Sequence, residues 1–262
     1  QVKLPVLDLE TARQLSDLFG QVVKLELVQR GQPPSATEHI IYLLNKWSNH
    51  LTSLKLDCSL RDDGLLRSDT ISHYLFQVLD CINSLPKLRC LAFESDNWFY
   101  STDIDTRPFE LPILSRLHEF YFFSEDRAFM LLNTIARHGR QNDQLRRIGL
   151  ANMMSRQTMA SFVARVQPQF ASRFCQIGFR EPLTRVTDWR RLVSRFSALN
   201  KLWIPLATKP SWAQISRCLS ELTQLVCLRF YINFARAPPM PSSETQPPPA
   251  KLPSVRIFGL FI

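Results

Sequence analysis

The stretch Leu51 to Cys58 reads LTSLKLDC, with leucines at its first, fourth and sixth places. The same frame of apolar places recurs as VVKLEL from Val22, LRCLAF from Leu88, LHEFYF from Leu117, LRRIGL from Leu145 and FCQIGF from Phe174. It continues as LNKLWI from Leu199, LVCLRF from Leu225 and VRIFGL from Val255, with LPVLDL from Leu4 as a weaker tenth copy. Most successive starts lie in the high twenties of residues apart, which marks an internal repeat. Strand side chains switch faces at every residue, so the fourth and sixth places point to a core and the places between them point away.

Helix signals fill the segments between frames. Ser35-Ala-Thr-Glu38 before HIIYLLNKW and Ser211-Trp-Ala-Gln214 before ISRCLSEL have the form of a capping box, which satisfies unpaired donors of a first helical turn. Further helices are expected near Ser68, Ser124, Ser155 and Thr187. A strand and a helix alone cannot bury their apolar faces, whereas stacked neighbours form one continuous core. The expected fold class is therefore α/β, a repeat solenoid with parallel strands on the concave face and helices on the convex face. One domain spanning 1–262 would hold about nine to ten irregular repeats.

These frames and their spacing resemble the leucine-rich repeat family, most closely the long-period intracellular repeats of ribonuclease inhibitor and of F-box leucine-rich repeat proteins. That resemblance implies a horseshoe and, by analogy with F-box proteins, substrate recognition for a cullin-type ubiquitin ligase. An adaptor would then bind through a region not in this chain. The family's polar ladder residue after the third apolar place is irregular here, with only Cys58 and Asn152 near it. An ordinary α/β domain with parallel strands is the alternative architecture.

Two segments interrupt the pattern. Glu94 to Glu110 has no strong helix signal and joins Trp98, Phe99 and Tyr100 to several aspartates, as a recognition loop or as a cover over the core. The Pro-rich insertion at 235–253 cannot form a helix and reads as an extended, solvated segment. The chain has no starting Met and runs out in an apolar strand, Ser254 to Ile262, so it reads as part of a longer protein.

Net charge is +9, unevenly divided. Residues 1–131 carry 13 Lys+Arg against 18 Asp+Glu, and residues 132–262 carry 19 against 5. Arginine dominates the basic half, and its planar fork suits carboxylate or phosphate. A protein partner with an acidic or phosphorylated segment is expected. Nucleic-acid association through this half is a weaker alternative, because no zinc finger, helix-turn-helix or RNP signature is present. No apolar run suits a membrane span and no leader precedes the repeats, while six scattered cysteines read as buried thiols of a cytoplasmic or nuclear protein.

No catalytic constellation emerges. The five histidines fall on different repeats, and neither GxSxG nor a Gly-rich phosphate loop occurs, so a non-catalytic chain without cofactor or metal is expected. A surface remains. Taking the outward places of the frames gives an expected partner-binding concave face of Lys55, Asp57, Glu119, Tyr121, Phe123, Arg147, Arg180, Lys201, Trp203, Arg229 and Tyr231. Gly149 and Gly178 would open a shallow depression beside these aromatics, which together with Arg often dominate interface energies. A scaffold or inhibitor that binds a folded partner would use the same face.

Overall fold

The computed structural model describes residues 1–5, 9–30, 36–59, 68–94, 111–123, 134–135, 142–154, 167–179, 186–205, 212–231 and 255–261. Trp98, Phe99, Tyr100, Arg180, the helix expected after Ser155 and the Pro-rich insertion lie outside them. So does the helix expected after Ser124, except for Thr134 and Ile135, which are helical and buried. The chain divides into two compact units, Gln1–Arg146 and Arg147–Ile262. Both are α/β, with parallel strands that pair in chain order.

In the first unit the strands are β1 (Val2–Pro5), β2 (Lys24–Arg30), β3 (Ser53–Ser59), β4 (Cys90–Glu94) and β5 (Glu119–Phe123). Their register aligns the frames. Leu25, Leu54, Leu91 and Phe120 form one buried row, and Leu4, Leu27, Leu56, Phe93 and Phe122 form a second. Helices α1 (Leu9–Leu18), α2 (Ala36–Lys46) and α3 (Ser68–Ser84) return the chain between successive strands, and a 3-10 turn at Pro112–Ser115 precedes β5. Helix α2 begins where the Ser35 box places it, with Glu38 in its first turn and Lys46 in its last, the order that complements the helix dipole. It buries Ile40, Leu43, Leu44 and the following Trp47, a helical stripe toward the core. Trp47 Nε1 donates to the Phe19 carbonyl just past α1 at 2.9 Å, tying one repeat to the next.

The weak tenth frame is corrected. Leu4 pairs with Leu27 and so occupies the sixth place, not the first, while Leu9 opens α1 instead of closing a strand. The physical reason is a change of period: Ala12 and Ser16 are the buried residues of α1, four apart as a helix face requires.

Polar side chains stitch neighbouring repeats ahead of the strands. Buried Asn142 donates through Nδ2 to the carbonyls of Leu114 (2.9 Å) and Leu117 (2.6 Å), and its Oδ1 accepts from Gln144 N at 2.8 Å. One repeat earlier, Arg116 Nη2 donates to the carbonyls of Asn83 and Leu85, and Asn83 Oδ1 accepts from Ile113 N. These bonds satisfy carbonyls that the end of α3 and the turns leave unpaired.

The second unit holds β6 (Arg147–Met154), β7 (Phe174–Phe179), β8 (Lys201–Pro205), β9 (Cys227–Tyr231) and β10 (Ile257–Phe261). Helices at Val186–Arg195 and Trp212–Ser220 start within a residue of the positions expected from Thr187 and Ser211. Core rows again follow the frames from β7 onward: Ile177, Leu202 and Leu228 align and are buried, and Phe258 aligns with Leu228. Phe174 meets Phe196 edge-on at a centroid distance of 5.5 Å, filling the space between sheet and helix.

Between β6 and β7 the frames slip. Leu150, not Ile148, pairs with Ile177, and irregularities follow Ile148 and Leu150. A bulge adds residues on one strand and bends it, so place-for-place alignment is lost there. Strand β7 is also buried at all six residues instead of alternating. Among the described residues no helix is long and apolar enough to cross a membrane.

Replacing Asn142 by Ala should lower stability by about 2–4 kcal/mol, because it leaves buried carbonyls unpaired. Urea unfolding checks this; a loss under about 0.5 kcal/mol would mean that the amide is dispensable.

Candidate functional site

On the open side of the first unit, the row between the two buried rows runs Lys3, Glu26, Lys55, Ala92, Tyr121. Its charges answer one another. Lys3 Nζ lies 2.8 Å from Glu26 Oε1, and Lys55 Nζ lies 3.3 Å from the same oxygen and 3.0 Å from Glu94 Oε2. The hydrogen bond from Lys3, with Lys55 adding to it against the opposing effect of burial, holds the Glu26 carboxyl below its usual value. Burial works against the charge on Lys55, but Glu94 and Glu26 outweigh it and raise the ammonium above its ordinary value. Beside them, Tyr121 donates to Glu119 Oε2 at 3.2 Å.

Lys55, Glu119 and Tyr121 are thus brought to one open face, but Lys55 already holds two carboxylates. Asp57 is a correction: it occupies an outward place, yet only 9% of it is exposed. On a central strand, between Val28 and Glu94 in register, a short side chain is shaded by its neighbours. The backbone of Phe123 ends β5 in the next row after Tyr121, and its side chain lies outside the described residues.

The second unit has a different chemistry. Gly178, Trp203, Arg229 and Gly259 stand in register on β7, β8, β9 and β10. The Arg229 guanidinium carbon lies 5.5 Å from the centroid of the Trp203 ring system, within cation–π range. Both side chains are half-buried, and Lys201, one outward place earlier, is exposed. Because their register neighbours on the far sides are glycines, no Cβ flanks the indole or the guanidinium along the row. This stacking fixes two rotamer-rich side chains before any partner arrives, which lowers the ordering cost of binding.

The expected depression is narrower than the sequence implied. Gly149 pairs with Gln176 and both are buried, as is Gly178, so the β6–β7 part of the face is closed. The slipped register and the two-sided burial of β7 account for this. Cys227, in register with Lys201, is also buried. Arg147 is exposed at the start of β6, two strands from Trp203. Tyr231 pairs with Pro205 at the end of β9, and its side chain lies outside the described residues, as does all of Arg180.

Three of the described thiols are held protonated by burial. Burial pushes the Cys81 thiol up to about 11, and its Sγ donates to Asn45 Oδ1 at 3.4 Å. Burial raises Cys90 and Cys218 as well, and a raised pKa keeps a thiol protonated and weakly nucleophilic. Among the described residues no group of three His, Cys, Asp or Glu could hold a metal ion.

Sequence reasoning passed over the second place of each frame, which the structure arrays as Val23, Thr52, Arg89, His118 and Arg146 in the first unit. Fixed position within every frame was the available signal.

The lowered Glu26 pKa has a pH consequence. A carboxylate depressed in the folded state stabilises fully above its unfolded value, near 4.5, and that contribution is lost as pH falls through the folded value. Glu26→Gln should therefore be less stable than the parent at pH 7, with the gap closing on acidification below 4.5. Thermal midpoints across pH 3–7 test this, and a pH-independent gap would contradict the account. Compared with known proteins, the chain matches no protein-family model and no curated protein.

Proposed function

We propose that this chain is a non-catalytic protein-interaction module of leucine-rich repeat type, a horseshoe whose binding face in the second unit centres on Trp203 and Arg229. The observation that carries the reading is their stacked pair on the open side of β8 and β9, between register neighbours without side chains. A half-buried Trp beside an Arg on an open strand face is the composition of an interface anchor, and solubility alone would not select it. Exposed Lys201 adds a second positive charge. The basic balance of residues 132–262 favours an acidic or phosphorylated segment of a partner.

Within that reading, substrate recognition for an F-box (cullin) ubiquitin ligase is the role we favour. Support comes from the likeness of these helix-containing repeats to those of F-box proteins, in which repeats select the substrate and a separate region recruits the ligase.

Trp203→Ala combined with Arg229→Ala should abolish capture of the partner by the full-length protein, while the thermal midpoint falls by only a few degrees. The loss is expected to exceed about 2 kcal/mol of binding free energy. Affinity purification of the parent and the double variant, compared by mass spectrometry, checks this. Partner recovery equal in both would mean that binding occurs elsewhere, and co-purification of a cullin adaptor with the full-length protein tests the ligase role separately.

A further inference from the structure

The second places of the first unit form a row at the edge where the chain enters each strand. Arg89 N donates to the Thr52 carbonyl at 2.8 Å, His118 N to Arg89 at 2.7 Å, and Arg146 N to His118 at 2.8 Å. Three basic residues thus follow one another at the spacing of adjacent strands, about 4.8 Å. His118 and Arg146 are exposed and Arg89 is half-buried. Their side chains are lightly engaged: Arg89 Nη1 donates to the Leu88 carbonyl at 3.2 Å, and His118 Nε2 donates to Gln144 Oε1 at 3.0 Å. Arg146 has no side-chain hydrogen bond or ion pair among the described residues.

This contrasts with the neighbouring face, where Lys3 and Lys55 each hold a carboxylate. It also contrasts with the acidic balance of residues 1–131. Basic side chains with no carboxylate partner among the described residues, gathered in one row of an otherwise acidic unit, focus a local positive potential. The two arginines stand two strand spacings apart, about 10 Å, with the imidazole between them. Long guanidinium arms across that gap can converge on one dianionic tetrahedral group, whose oxygens match the arginine fork. A nucleic-acid backbone, with its repeated charges, asks for a longer track than three positions.

We propose that Arg89, His118 and Arg146 bind a phosphoryl group carried on a side chain of a partner protein. The row involves no residue of the second unit, so its failure would leave the Trp203 proposal standing.

Fluorescence anisotropy with the whole chain and a labelled ten-residue Gly/Ser peptide bearing one phosphoserine tests this. The phosphopeptide should bind at least about tenfold more tightly than its unphosphorylated form or competing inorganic phosphate. Arg89→Gln with Arg146→Gln should weaken it about tenfold or more without moving the thermal midpoint. If that double variant is unstable, Arg146→Gln alone, whose side chain has no hydrogen bond or ion pair among the described residues, should still weaken binding severalfold. Equal binding of both peptides, inorganic phosphate binding as tightly as the phosphopeptide, or undiminished binding by Arg146→Gln would overturn the proposal. Tighter binding of a twenty-nucleotide oligothymidine, lost in the same variants, would overturn it in favour of nucleic acid.

Discussion

Parallel pairing between strands of successive repeats is the constraint on which the rest depends. A parallel strand must be reached by a crossover, and α1, α2 and α3 supply that return between the first four strands. Where the register holds, the fourth and sixth places of neighbouring frames merge into continuous buried rows, such as Leu25 to Phe120. The same register merges the intervening places into rows on the open side. A residue's neighbours there come from sequence positions some 30 apart, and chemistry on the surface is composed across repeats.

That rule explains why the two units present different faces. In the first, lysines and glutamates alternate from strand to strand, so Lys3, Glu26, Lys55 and Glu94 neutralise one another and the row acts mainly in stability. In the second, an aromatic and an arginine fall together, flanked by glycines, and stack on each other. Burial raises the Cys81 and Cys90 thiols, which keeps both protonated.

Much of this arrangement was legible in the sequence, because apolar periodicity reports register directly. The frames aligned β2 with β3, β4 and β5, and β7 with β8, β9 and β10, and they set Trp203 beside Arg229. Legibility failed where another force intervened. Pattern alone assigned LPVLDL to a strand, although the helical spacing of Ala12 and Ser16 starts inside it. A bulge between β6 and β7 has no residue signature and shifted Leu150 against Ile177. Shading of Asp57 depends on its neighbours' lengths, and the bonds of Asn142 join carbonyls more than 20 residues away, so neither could be read locally.

The register that sets Trp203 against Arg229 also sets Lys201 against Cys227, and this offers the most direct measurement of the account. Register partners on adjacent strands lie about 4.8 Å apart at Cα, inside the roughly 4.4–6.8 Å that a disulfide spans. In Lys201→Cys, mild oxidation should join residue 201 to Cys227, identified by peptide mapping, whereas Pro205→Cys should not link to Cys227. Failure of the first crosslink, or equal formation of both, would contradict the alignment that builds the proposed binding face.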